Sequence, residues 1–281
     1  MRISLAQVDS RLGDLDHNFE VARDAVTRAV AQGADVVVFP ELFVSGCPIQ
    51  DDPDLTIDAD DSRLQELSRA AGDVGVVIGF AESEPRGSRI FNSVGYYEAG
   101  RLVHLHRKLY LVAYGPFDER NHFSPGQTLR SFPVHGKQQA AVLCCNDAWQ
   151  PQLGFLATQD GAQVLLVPSA SAQSLFPDRY DNHEYWQAIT RFYGRMYQLY
   201  VVFVNRVGNQ GPFDYWGGSH VVDPWGRVVA EAPPHEDHLL TVDLDLSDVR
   251  RRRREVPLVR EARLGMLRRE IDRLLDEGGD L

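Results

Sequence analysis

The order of apolar and polar positions divides this chain into short continuous apolar runs and longer stretches with helical periodicity, one following the other. Residues 3–8, ISLAQV, read as a first strand. Leu15, Phe19, Ala22, Val26 and Ala29 then recur at steps of four and three, the spacing of one helix face, and Gly33 stops that helix. The run ADVVVFPEL that follows has the uninterrupted apolar character of a strand covered on both faces. These segments make a strand, helix, strand unit with Glu41 at its carboxyl end, where sites assemble in open α/β sheets.

The alternation continues. A helix over 64–71 leads to a buried strand over 74–82, and residues 90–111 predict two strands paired about 98–100. An apolar run from residue 140 reaches Cys144 and Cys145 and gives way to Asn146, Asp147, Trp149 and Pro151, the mark of a buried strand ending in a turn. A short helix over GFLATQ and a strand over GAQVLLVPSAS follow. Residues 181–198 predict a helix on which Trp186, Ile189, Phe192, Met196 and Leu199 form an aromatic core face. YVVFVNRVG is the next buried strand, WGGSHVVDPWGRVVAEA a hairpin turned at 223–226, and LLTVDLDL a last strand.

From residue 248 the character changes. Five arginines, Arg250 to Arg254, precede a helix with Leu264, Leu267, Ile271 and Leu274 on one face. No repeat, low-complexity tract or linker divides the chain. The expectation is one α/β domain over 1–281, with 248–281 an arginine-rich helical extension at a subunit interface. Two loops stand out: an aspartate-rich stretch over 50–61, read as solvated because it lacks the glycine and terminal glutamate of an EF-hand, and an aromatic, Gly/Pro-rich stretch over 110–126 of the kind that binds ligands.

A formal net charge of −11 excludes the basic footprint that nucleic acid or an anionic membrane surface requires. Three cysteines, two of them adjacent, make a poor disulfide framework and suit a reduced, cytoplasmic setting. MRISLAQVDS has no sustained apolar core, so no signal peptide is expected, and no segment reaches the length of a membrane span.

Within this frame a few residues carry chemistry. A thiol at the end of a strand is a candidate nucleophile if a base and a charge stabiliser join it, and a small buried hydrophobe otherwise. Glu41 is a candidate carboxylate or a polar strand cap. The chain has 27 arginines and only two lysines, Lys108 and Lys137, so Lys108 at a strand end breaks its habit. An ammonium serves as a compact buried charge where guanidinium does not. His104 and His106 alternate on one strand, yet no third ligand is spaced to complete a metal site.

Three separated pieces, FPELFVSG around Glu41, HRKLYL around Lys108 and LCCNDAW around Cys145, together resemble the carbon-nitrogen hydrolase or nitrilase superfamily, in its amidase and NAD synthetase glutaminase-domain branch. YGPFDERNHFSPG and NRVG with WGGSHVVDPWGRVVAEAP extend the likeness over nearly the whole chain. The resemblance implies a four-layer αββα sandwich of two stacked mixed sheets flanked by helices, assembling as a homodimer or larger. It implies Cys145 as nucleophile, Glu41 as general base, Lys108 as the cation at the developing oxyanion and Glu119 as a second carboxylate. Cys144 is then a core residue, since neighbours on a strand face opposite ways.

The implied activity is cleavage of a small linear amide or carbamoyl compound through a cysteine thioester, without metal or organic cofactor. A nitrilase, or a glutaminase-like subunit feeding ammonia to a partner, is the alternative. Asn146 stands where glutaminase-like relatives often have Glu. Candidate substrate-binding residues are Tyr114, Phe117, Asn146, Trp149, Ser169, Ser171 and Phe176.

Overall fold

The computed structural model describes residues 1–47, 55–84, 87–113, 118–136, 138–173 and 181–279. Tyr114, Phe117 and Phe176 lie outside the described residues, as does the first half of the aspartate-rich loop.

Two six-stranded sheets dominate. The first contains β1 (Arg2–Gln7), β2 (Val36–Val38), β3 (Gly75–Ser83), β4 (Ile90–Glu98), β5 (Arg101–Arg107) and β14 (His238–Asp243), in the order β14-β1-β2-β3-β4-β5. The second contains β6 (Phe132–Val134), β7 (Gln138–Val142), β8 (Val164–Ser169), β9 (Tyr200–Asn205), β12 (His220–Val222) and β13 (Val228–Glu231), in the order β13-β12-β9-β8-β7-β6. β1, β2 and β3 run parallel, as do β7, β8 and β9, while the outer strands pair antiparallel, so both sheets are mixed. A separate hairpin joins β10 (Val207–Gln210) to β11 (Phe213–Trp216).

Alternation along the strands builds the layers. Ile3, Leu5, Val36, Val38 and Val77 of the first sheet pack against Ala140, Val142, Val164, Leu166, Val202 and Val204 of the second, making a core between the sheets. The opposite faces bury helices. Val37, Val76 and Ile78 meet Phe19, Ala22 and Val26 of α1 (Leu15–Ala31) and Leu64 and Leu67 of α2 (Ser62–Ala70). Ala141, Leu165, Val201 and Phe203 meet Leu153 and Ala157 of α4 (Pro151–Gln159) and Trp186 and Tyr193 of α5 (Asn182–Tyr197). The result is the αββα sandwich. α3 (Glu119–His122) is a single turn within the 110–126 loop.

Three expectations change. Leu55, Ile57 and Ala59 are buried, and Ile57 bridges Glu82, so the end of the aspartate-rich segment is an inner edge rather than a solvated loop. On α5 the buried face is Trp186, Thr190, Tyr193 and Gly194, whereas Phe192 and Met196 are exposed. The apolar stripe read from the sequence mixed two faces because this helix is apolar or aromatic on both. The strand after α1 is only three residues long, and the chain turns at Pro40 so that Glu41 projects from a turn.

The extension forms α6 (Ser247–Glu255) and α7 (Leu264–Asp276). Leu264, Ile271, Leu274 and Leu275 of α7 are exposed. Among the described residues no helix is long and apolar enough to cross a membrane.

Candidate active site

The carboxyl ends of β2, β5, β7 and β8 deliver Glu41, Lys108, Cys145 and Ala170 to one place. Glu41 is placed by close packing of its turn against Gly79 of β3, where an added Cβ would come 2.6 Å from the Leu42 nitrogen and 2.7 Å from the Pro40 oxygen. Leu42 takes φ 49°, and Cys145 takes φ 45°, a left-handed backbone that non-glycine residues rarely adopt. Such strain persists only where the surroundings fix it, and it concentrates at functional sites. Here it stands immediately after the carboxylate and at the thiol itself.

Lys108 lies 2.7 Å from Glu41 Oε1 and 2.8 Å from both oxygens of Glu119, with only 1% of its side chain exposed. Glu41 Oε1 also accepts from Asn92 Nδ2 at 2.8 Å, and its Oε2 accepts the Ala170 backbone N–H at 2.9 Å. Glu119 is held by the Val112 N–H at 2.7 Å and by Asn92 Nδ2 at 3.1 Å. Glu41, Lys108 and Glu119, far apart in sequence, thus form one buried cluster.

Burial opposes charge on Glu41, but the Lys108 ammonium and hydrogen bonds from Lys108, Asn92 and Ala170 outweigh it and hold the carboxyl below its ordinary 4.5. For Glu119, burial with Glu41 close by outweighs Lys108 and pushes the carboxyl above 4.5. Burial would neutralise Lys108, yet Glu119 and Glu41 keep it protonated well above 10.5. The Cys145 thiol is pushed well above 9.0 by burial and then by Glu41, against the pull of Lys108. The resting cluster is therefore an ammonium, an ionised Glu41 and a neutral thiol. Two carboxyls whose environments separate their proton affinities are suited to different roles.

Asp147 fastens the two halves of the site. Its Oδ1 accepts the N–H groups of Leu109 and Tyr110 at 2.9 and 2.8 Å, just past Lys108, and its Oδ2 accepts the Cys144 N–H at 3.1 Å. The buried His106 ring meets the same Oδ2 at 2.8 Å. His106 is thus engaged with Asp147, His104 stacks on Phe132 at 4.1 Å, and no group of metal-binding side chains occurs among the described residues.

The other predicted residues divide. Asn146 Nδ2 donates to the Tyr110 carbonyl at 3.0 Å. Trp149 stacks on Tyr185 and meets Trp186 edge-on, with ring centroids 5.7 and 5.9 Å apart. Ser169 is fully buried, and its hydroxyl donates to the Val167 carbonyl at 3.5 Å. The Ser171 hydroxyl accepts from Trp186 Nε1 at 2.9 Å. Between the two serines, the backbone of Ala170 supplies the contact to Glu41. Asn92, Asp147 and Ala170 were not singled out as site residues from sequence. The signal for Asn92 was a polar residue inside the apolar strand IFNSV; an N–H donor such as that of Ala170 leaves no signal in residue type.

Geometry alone defines an αββα sandwich protein with a buried Glu, Lys, Glu cluster beside a thiol on a strained turn. The carbon-nitrogen hydrolase profile matches residues 2–254, and the chain belongs to that family. It is 31% identical over 256 residues to a glutamine-dependent NAD(+) synthetase of Thermotoga maritima, covering 88% of this chain and 42% of that protein. The chain thus spans less than half the length of that relative. A citrullinase of Francisella tularensis is 26% identical, covering 93% of this chain and 95% of the relative. Among solved structures, an amidase of the nitrilase superfamily from Nesterenkonia AN1 superposes with a TM-score of 0.78 at 28% identity, over 96% of each chain.

Proposed function

We propose that this protein is a thiol amidohydrolase that cleaves a small linear amide or carbamoyl compound, with Cys145 as nucleophile, Glu41 as general base and Lys108 as the oxyanion cation. The observation that carries the reading is the Lys108 ammonium seated 2.7 Å from Glu41 and 2.8 Å from Glu119, beside a turn that presents Cys145 at φ 45°. Lys108 here keeps its charge and has an ammonium hydrogen left for a substrate oxygen once Glu41 and Glu119 each take one.

The Cys145 proton passes to Glu41 as sulfur bonds the substrate carbonyl carbon, and the carbonyl electron pair moves onto oxygen. Lys108 and the backbone N–H of Asn146 are the donors assigned to that oxyanion. The oxyanion collapses, the C–N bond breaks, and ammonia or an amine leaves with the proton held on Glu41. Glu41 then takes a proton from water as its oxygen attacks the thioester, and the departing sulfur recovers that proton. Because the resting thiol is neutral, Glu41 is needed at the moment of attack rather than beforehand.

The match to an amidase and a citrullinase over nearly their full lengths supports amide and carbamoyl substrates. The match to NAD(+) synthetases supports a second reading, hydrolysis of glutamine to supply ammonia to a partner. The test is ammonia release by the purified chain from a panel of aliphatic amides, carbamoyl compounds, glutamine and nitriles, with Cys145→Ala and Glu41→Gln as controls. Release from amides or carbamoyl compounds, lost in both variants, is expected. Turnover that survives Cys145→Ala overturns the mechanism, and release from nitriles alone overturns the substrate class.

A further inference from the structure

Asn92 touches every part of the cluster. Its side-chain nitrogen donates to Glu41 Oε1 at 2.8 Å and to Glu119 Oε1 at 3.1 Å. Its side-chain oxygen accepts the Cys144 thiol at 3.7 Å, and its backbone carbonyl accepts the Lys108 N–H at 2.8 Å. The residue is fully buried in β4. We infer that Asn92 is a positioning residue for the Cys145 reaction, its amide giving one N–H to each carboxylate and so keeping both turned onto the single Lys108 ammonium.

The physical need is plain. Two carboxylates around one cation repel each other, and in a buried site they tend to share a proton instead. A shared proton on Glu41 leaves Cys145 without a base. An amide is the neutral group that serves both oxygens at once, since each of its N–H groups satisfies one acceptor and adds no charge. The Cys144 thiol completes the arrangement by giving the amide oxygen a donor, so the side chain has a partner at each end.

The proposal rests on Glu41 acting as the base, and the test separates the two. The readout is the rate at which iodoacetamide alkylates Cys145 in the full chain, followed by peptide mass mapping from pH 4 to 8, which requires no substrate. Groups facing Glu41 are Lys108, Glu119, Cys144, Cys145, Cys47 and Tyr215, so the acid limb belongs to this set. A donor to a carboxylate favours its charged form, so losing Asn92 moves protonation of Glu41 to higher pH. In Asn92→Ala the acid limb is expected to move up by about one pH unit, the scale of one hydrogen bond to a charged group. Asn92→Asp, which adds a third carboxylate, moves it at least as far. Asn92→Ser keeps one donor, shifts the limb less, and carries the same test if the alanine variant does not fold.

A limb unmoved in Asn92→Ala or Asn92→Ser, in a wild-type protein whose labelling still depends on Glu41, overturns the role of Asn92 alone. Equal labelling of wild type and Glu41→Gln overturns the base assignment and the proposal with it.

Discussion

Cys144 and Cys145 are neighbours in the chain that face different layers, and yet the single S–H of Cys144 is shared between Glu41 Oε1 at 3.5 Å and the Asn92 side-chain oxygen at 3.7 Å. Cys144 is fully buried in the core between the sheets, whereas Cys145 packs at the edge of the core beneath α4 and α5. Both cysteines lie just past the end of β7, where the chain turns at Cys145.

This sets the first prediction. Cys145→Ala is expected to lower turnover by about 10,000-fold or more, as loss of a covalent nucleophile does. Cys144→Ala is expected to cost about tenfold or less, through Asn92 and Glu41. Steady-state rates of ammonia release decide it, and the reverse order would exchange the two roles.

Lys108→Arg is expected to lower turnover by roughly 100- to 1000-fold, the cost of losing one oxyanion donor. A planar guanidinium does not fit a cradle closed by Glu41 and Glu119 at 2.7 and 2.8 Å. Activity close to wild type would show that any cation suffices.

Gly79→Ala places a methyl group against the backbone of residues 40–42 rather than against a flexible side chain. We expect a loss of about 1–3 kcal/mol in stability from overpacking, read by denaturant unfolding, together with a fall in turnover as the Glu41 turn is displaced. A loss of stability with turnover unchanged would separate this glycine from the site.

The pH dependence follows from the directions of the shifts. Glu41, held below 4.5, remains able to accept a proton until the pH falls through that lowered value. Lys108 and the Cys145 thiol, held above 10.5 and 9.0, keep their protons on the alkaline side. Glu119, pushed above 4.5, takes up a proton before Glu41 as the pH falls, so the acid limb begins with Glu119 and the profile of kcat/KM is expected to be flat on the alkaline side of it, up to about pH 9. A rate of Cys145 alkylation that titrates with the thiol near neutrality would point to a preformed thiolate instead.

The exposed Leu264, Ile271, Leu274 and Leu275 of α7 bear on assembly. If the extension lies at a subunit interface, sedimentation at micromolar concentration gives a dimer or larger, and Ile271→Glu with Leu275→Glu reduces it. A wild-type monomer would remove the extension from any interface.

How much of this was legible in the sequence varies with the kind of interaction. The buried strands declared themselves through continuous apolar runs and α1 through its period, whereas Glu41, Lys108 and Cys145 stood out by residue type only as separate candidates and were joined into one site by the family resemblance of their motifs. The hairpin of β10 and β11 and the short β6 were hidden, because each is only three or four residues long. Phe192 and Met196 misled because a helix rich in aromatic residues has no single apolar side. Asp147 was visible only as a register mark, although it binds the Lys108 loop to the Cys144 turn through backbone groups. Contacts between elements remote in sequence are not encoded in local pattern.

The cluster draws Glu41, Asn92 and Lys108 from one sheet and Cys144, Cys145 and Ala170 from the other. Its hydrogen bonds from Ala170 and Cys144 to Glu41 therefore cross the seam between the two slabs, beside the bonds of Asp147 to His106, Leu109 and Tyr110 and of the Ser219 N–H to Gln7, while the rest of the seam is apolar packing. Slippage of one slab over the other by an ångström would part acid from thiol long before either sheet frayed. The enzyme's rate is in this sense a gauge of the seam, and heat or denaturant that loosens the stacking is expected to silence the protein while its strands are still intact.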